Sequence, residues 1–417
     1  MQKVFVQIGG SRDGRDPYLR AANRRRMQAV LIEKPAYLEL RGVMQWPVFD
    51  RNLAHPSPAD ADTICQVILT LEGRVSLILA GFERYAQCAH EVSASAGLVP
   101  GGRTFDAPTK FEQRERLRQR APHILQPHFW KLNPADPAGN HQIRYPAVLK
   151  PVNGGGGLCV YLVQNREQLA NAARHGALQL NFDQSTFPEW LVEEYIDGPE
   201  HSIQGICRNG ISEVLSVCSK LIRHEPLPEM EKVCGLREAA HIAVGKAGIS
   251  EELARFAQDV IRAVGFWDGP YHIDYRLGLN GPVFIEMGFR ISGGAVSDLV
   301  EQVSGFNWGD LVFAWMLGEN PPPLVRQPVV CAANVIAFEE SQISDALVAD
   351  PALCLQIDHF ISPTSILSSD VRDQLATDLS RHTGPRGRIN ITGCCTHRVC
   401  ALVQRLSATH RKDLCHE

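Results

Sequence analysis

The sequence predicts an α/β (α+β) chain, and three observations predict it. Short strand-type apolar runs alternate with helix-type stretches over the first hundred residues, the pattern of a parallel sheet. Further on, two strand-type runs flank four consecutive glycines, Gly154, Gly155, Gly156 and Gly157. After an amphipathic helix, a second pair of strands brackets the turn Gly278-Leu279-Asn280-Gly281. At 417 residues the chain is long enough for two or three domains of roughly 150 residues each.

The elements follow in order. Lys3–Ile8 reads as a strand closed by Gly9 and Gly10. Residues 18–28 read as a helix, 29–32 and 75–79 as strands, and 85–96 as a second helix. Gly9-Gly10-Ser11 does not extend to G-x-G-x-x-G, which excludes a dinucleotide loop. Arg24, Arg25 and Arg26 read as a solvated helix face. A charged helix spans about 108–120 and begins near Lys110. A connector rich in proline follows, with Pro122, Pro127, Pro134 and Pro137. Residues 145–163 read as strand, glycine loop, strand; 166–175 as a helix; and 190–195 as a strand.

Glu251–Val264 is the clearest helix. Leu253, Phe256, Ala257, Val260, Ile261 and Val264 share one face at helical spacing. Ser250 can cap its start, and Gly265 can end it. Strands at 271–277 and 282–287 come next, and Pro321-Pro322-Pro323 precedes a final α/β stretch.

Composition narrows the function. Hydrophobic residues make up 44%, so a sizeable core is expected and disorder is not. A net charge of −4 leaves no footprint for nucleic acid or an anionic membrane. No apolar run approaches the roughly 18 residues of a bilayer span. The opening MQKVFVQIGG lacks the regions of a signal peptide, so a soluble cytoplasmic protein is expected. The 12 cysteines are scattered. Cys394-Cys395-Thr396-His397 with Cys400 does not match zinc-finger spacing, and reduced, mostly buried cysteines fit better.

Lys150 ends the apolar run Ala147-Val148-Leu149, just before the glycines. A lysine there is a point charge for phosphate, and glycines let backbone N–H groups approach an anion. A plain hairpin turn needs one or two glycines, not four beside a placed lysine. Asp274 and Glu286 fall near facing positions of the predicted antiparallel pair. Neighbouring carboxylates repel unless a cation lies between them, and Mg²⁺ is the natural one. Two exposed strand carboxylates are the competing reading, and Ile273 with Val283-Phe284-Ile285 weighs against it. Arg290 adds a positive fork four residues past Glu286. Nothing resembles a Ser-His-Asp or Cys-His arrangement, a P-loop or a kinase motif set.

The order of these pieces resembles the ATP-grasp family over roughly residues 110–294: Lys150 and the glycines, then Glu193-Glu194-Tyr195-Ile196-Asp197-Gly198-Pro199-Glu200, then Asp274, Glu286 and Arg290. The resemblance implies an N-terminal Rossmann-like domain at 1–107, an ATP lid domain at 108–205 and a C-terminal catalytic domain at 206–417. It implies that Lys110 and Lys150 contact ATP phosphate, with Lys220 as a looser third contact, and that Gly154, Gly155, Gly156 and Gly157 close over the nucleotide. Glu193, Glu194 and Ile196 match the segment that holds adenine, and Glu200 matches the acid that binds ribose. Asp274 and Glu286 match the ligands of Mg²⁺ or Mn²⁺. Arg290 matches the arginine that stabilises the acyl phosphate and the tetrahedral oxyanion; the competing arrangement is an arginine paired with Glu286.

One position departs from the family. Many relatives read E-x-N where this chain has Glu286-Met287-Gly288. Either one metal is then held more weakly, or Glu286 bridges both. The departure resembles the L-amino acid ligases that make dipeptides, the tabtoxin-pathway type among them. The implied function is ATP-dependent ligation of two L-amino acids through an aminoacyl phosphate, with small-molecule amino acids as partners and a monomer or homodimer both open. The alternatives are a ligase or carboxylase acting on another carboxylate, or a non-catalytic ATP-binding regulator.

Overall fold

The computed structural model describes all residues except 1, 100–101, 133–142, 183, 228–229, 231–232, 349, 378, 380–384 and 409–417. Pro134 and Pro137 of the expected connector lie outside the described residues.

The N-terminal unit is a four-stranded parallel sheet. Its strands are β1 (Lys3–Ile8), β2 (Gln28–Glu33), β3 (Arg51–Ala54) and β4 (Arg74–Ala80), in the order β3-β2-β1-β4. β1 and β2 are buried on both faces, so their sequences read as continuous apolar runs.

The first helix is Pro17–Arg24 and ends four residues earlier than expected. Gln28 already belongs to β2, and Arg26 adopts a φ of 52°. The arginine run is therefore not one solvated helix face. Arg25 is mostly buried against Phe313 and pairs with Asp310 at 2.7 Å and Glu319 at 2.8 Å. Arg24 also pairs with Asp310. Three elements of this N-terminal unit went unread: the helices Pro35–Val43 and Ala61–Leu69, and β3. β3 is a four-residue edge strand with no fully buried residue, so it carries no apolar pattern.

The remaining strands build one sheet. They are β5 (Phe129–Leu132), β6 (Ala147–Pro151), β7 (Tyr161–Val163), β8 (Trp190–Glu194), β9 (Glu200–Arg208), β10 (Ile211–Pro226), β11 (Cys234–Val244), β12 (Gly269–Gly278), β13 (Gly281–Gly288), β14 (Cys331–Ala337), β15 (Cys354–His359) and β16 (Gly387–Gly393). The main path runs β13-β12-β9-β10-β11-β7-β6-β8-β5, and β14, β16 and β15 branch from β11. The expected division at 205/206 falls inside β9.

The helix Glu251–Val264 forms as its sequence dictates. The Ser250 side chain accepts from Leu253 N, and Gly265 ends the helix at a φ of 84°. Its face of Phe256, Ala257, Val260, Ile261 and Val264 packs into the core with Phe284. Each large side chain so buried is worth about 1.5–3 kcal/mol.

β13 is an edge of the sheet, and the helix Lys110–Arg120 covers it. Gln113 exchanges two hydrogen bonds with the Met287 backbone, at 2.9 and 2.8 Å. Arg114, wholly buried, donates to the carbonyls of Phe284 and Ile285, both at 2.8 Å. These bonds use backbone groups an edge strand would leave open. They also set the start of the helix, and with it Lys110, beside Glu286.

The eleven described cysteines stand outside any disulfide, and Cys88, Cys159, Cys207, Cys218 and Cys331 are buried. No described helix is long and apolar enough to cross a membrane.

Candidate active site

A cavity of about 1220 Å³ runs between the N-terminal unit and the large sheet. Every residue singled out in the sequence lines it: Lys110, Lys150, the four glycines, Glu193, Glu194, Ile196, Glu200, Lys220, Asp274, Glu286 and Arg290.

The two lysines converge on one carboxylate. Lys110 opens its helix behind a capping box of Thr109 and Glu112, and its Nζ lies 3.6 Å from Glu286. Lys150, the penultimate residue of β6, lies 3.8 Å from the same carboxylate. Its exposure is only 4%, so it sits deeper than an open cleft would place it. Glu193 holds it at 2.9 Å and is itself gripped by Arg114. The side chain of Glu193 is thus a brace for Lys150. Burial pushes the Glu286 pKa up, but Lys110, Lys150, Lys220 and His272 outweigh it and bring it down to about 2.

The glycine loop joins β6 to β7. Gly156 and Gly157 adopt φ values of 63° and 70°, which favour glycine. A side chain at Gly155 would meet open space. Lys110 Nζ donates to the Gly154 carbonyl.

Asp274 and Glu286 are register partners in the antiparallel pair of β12 and β13. Lys220 lies 2.6 Å from Asp274, 2.8 Å from Glu238 and 3.4 Å from Glu200. Burial opposes its charge, but these three acids raise its pKa well above the ordinary lysine value. The other Asp274 oxygen, Oδ1, is buried without a hydrogen-bond partner. A buried, unpartnered carboxylate oxygen facing a second carboxylate fits a hard divalent cation. The carboxylates of Glu200, Glu238 and Asp274 also lie within 4.8 Å of one another, with Lys220 among them.

The departure at Gly288 has a steric cause. A Cβ there would lie 2.1 Å from His272 Cε1 and 2.9 Å from Glu83 Oε2. The imidazole of His272, the register partner of Gly288, fills the space an asparagine would take.

Arg290 does not pair with Glu286. Its Nε lies 3.1 Å from Glu83 Oε2, and its Nη1 donates to the Ile291 carbonyl at 2.6 Å. Glu83 follows β4, so the N-terminal unit orients this arginine.

Four groups went unread. Arg276 lies two residues past Asp274 on the same strand face, and it binds Glu200 at 3.1 Å and the Ile196 carbonyl at 2.9 Å. Strand alternation would have found it. Arg114 is one helical turn past Lys110, again a legible spacing. Glu83 comes from a distant segment with no local signal. Glu238 and His241 are three residues apart, a spacing that puts strand side chains on opposite faces. A bulge opposite Leu221/Ile222 brings them to one side, where their side chains lie 3.4 Å apart.

Residues 143–298 match the family model of the ATP-grasp domain. Dapdiamide A synthase of Enterobacter agglomerans is 24% identical over 164 residues, 39% of this chain and 37% of that protein. The match thus spans about a third of that relative's length. An L-amino acid ligase from Bacillus licheniformis superposes with a TM-score of 0.69 at 20% identity, covering 98% of this chain and 97% of that one. A carboxyaminoimidazole ribonucleotide synthase from Aspergillus clavatus, solved with ATP, superposes with a TM-score of 0.64 at 16% identity, covering 98% of both chains. Residues 143–298 thus carry an ATP-grasp domain, and the superpositions over nearly the whole chain show the same fold.

Proposed function

We propose that the chain is an ATP-dependent carboxylate–amine ligase that joins two L-amino acids into a dipeptide, releasing ADP and phosphate. The observation that carries this reading is the convergence of Lys110 and Lys150 on Glu286, opposite Asp274 and beside Arg290, on one cavity. Phosphoryl transfer needs placed cations more than a protein nucleophile, and that is what this cavity supplies.

In this reading a donor carboxylate oxygen attacks the γ-phosphorus of ATP, and ADP leaves. The acceptor amine then attacks the acyl carbon, phosphate leaves, and the amine gives up a proton. Lys110 and Lys150 offset charge on the transferring phosphoryl group. The glycine loop covers it and keeps water from the acyl phosphate. Asp274 and Glu286 would hold Mg²⁺ or Mn²⁺, which supplies charge neutralisation at the phosphates. Glu194 and Ile196 border the adenine end, and Glu200 the ribose. Arg290, oriented by Glu83, faces the oxygen on which charge develops as the amine attacks. The likeness over nearly the whole chain to an L-amino acid ligase supports the choice of substrates.

ADP release across pairs of L-amino acids, with products identified by mass spectrometry, tests the reading. The expected result is ADP release that needs amino acids and yields one dipeptide per ADP. Release driven by bicarbonate alone would make it a carboxylase. ATP binding without turnover in any arm would make it a regulator.

A further inference from the structure

Arg388 stands on β16, whose neighbours are β14 and β15. Its register partners are Ile336 and Asp358. It is 7% exposed and borders the cavity together with Ile336, Phe338 and Phe360. Its guanidinium lies over the Phe360 ring, 5.4 Å from the centroid. It makes no hydrogen bond or ion pair among the described residues, and its Nε is fully buried without a partner.

The charged groups around it are Asp13, Asp298, Asp358 and Arg15. Each acid is engaged elsewhere. Asp13 accepts from Ala295 N at 2.8 Å and Arg15 N at 3.1 Å. Asp358 accepts from Arg15 and, at 2.9 Å, from Asn390. Asp298 pairs with Arg15 at 3.0 Å and Arg20 at 3.2 Å. Burial, the largest influence, and Arg15 lower the Arg388 pKa, and the three acids oppose them. A guanidinium stays charged regardless, and a buried one with five donors calls for an acceptor.

The geometry points to a carboxylate-binding subsite centred on Arg388 and walled by Ile336, Phe338 and Phe360, which takes the free carboxylate of an apolar substrate. One planar fork matches one carboxylate bidentately. Asp13 and Asp358 close by disfavour a phosphate dianion, and the aromatic and aliphatic walls suit an apolar chain. The subsite lies near Arg290. Asp13 bonds Ala295, five residues beyond that arginine, and Asn334 on β14 donates to the Gly294 carbonyl at 3.0 Å. If the ligase reading holds, on which this assignment alone rests, the group bound is the acceptor's carboxylate. The donor's carboxylate is consumed at the phosphate end.

The test uses the full chain and two probes without an amine, 4-methylpentanoate and 4-methylpentanamide, titrated by NMR. Wild type should favour the carboxylate by roughly 10- to 100-fold, the range for a charged hydrogen-bonded pair. Arg388→Gln should bring the ratio close to one and keep amide binding, which reports an intact site. Arg388→Lys, which keeps the charge without the fork, should fall between, and it carries the comparison if the glutamine variant does not fold. An equal ratio in wild type, an unchanged ratio in Arg388→Gln, or parallel loss of both probes would overturn the subsite. The titration contains no ATP, so neither probe is turned over and this outcome is independent of whether amino acids drive ADP release.

Discussion

Lys150 is held by Glu193, with Lys110 beside it across Glu286. Lys150→Met should lower turnover by roughly 10²- to 10³-fold, the usual cost of losing one preorganised electrostatic donor. The fold should survive, because Glu193 keeps Arg114. Steady-state ADP release beside a denaturation curve checks both halves. Gly288 makes a different prediction. Gly288→Asn drives its Cβ into His272 and should destabilise the chain by about 1–3 kcal/mol. Adding His272→Ala should recover most of that loss, and urea titration of both variants measures it. Much at this scale was legible. Lysine before glycines and paired carboxylates on a hairpin are local patterns. Glu83 was not legible, because its partner Arg290 is over two hundred positions away. Glu238 with His241 was not, because a bulge decides their face and leaves no mark in composition.

Elements were legible where local chemistry and packing agree. The helix Glu251–Val264 combines a serine cap, an apolar stripe and a terminal glycine, and it begins and ends where those signals stand. β10 and β11 were not read, since their long runs mix polar, charged and apolar residues that face partly into the cavity. The glycine loop makes few contacts of its own, so hydrogen exchange at residues 153–158 should slow when ATP and Mg²⁺ are added. Equal exchange in both states would remove its covering role. The helix Ala86–Ser95 carries a pH dependence. His90 packs edge-on against Phe105 and Phe266, and burial lowers its pKa from 6.5 to about 4. Between those values the unfolded chain binds more protons than the folded one. Stability is therefore complete above about pH 6.5 and falls as pH drops toward 4, by about 3 kcal/mol at most. His90→Leu should flatten that slope in melts taken across the window.

At the scale of the molecule, two sheets meet across one cavity, and the site depends on both. The large sheet supplies Lys150, Lys220, Asp274 and Glu286, and the segment after β4 supplies the Glu83 that aims Arg290. The alternation of strands and helices showed the α/β class from sequence, but not that β14, β15 and β16 join the same sheet through β11. Such pairing links residues far apart in the chain, and no local pattern encodes it. The central claim is that ATP activates a carboxylate for attack by an amine. The most direct measurement follows oxygen. Amino acids labelled with ¹⁸O in the carboxylate are supplied with ATP and Mg²⁺, and the released phosphate is analysed by mass spectrometry. Ligation through an acyl phosphate predicts one ¹⁸O in each phosphate formed with product. Unlabelled phosphate, or ADP release indifferent to amino acids, would contradict the account.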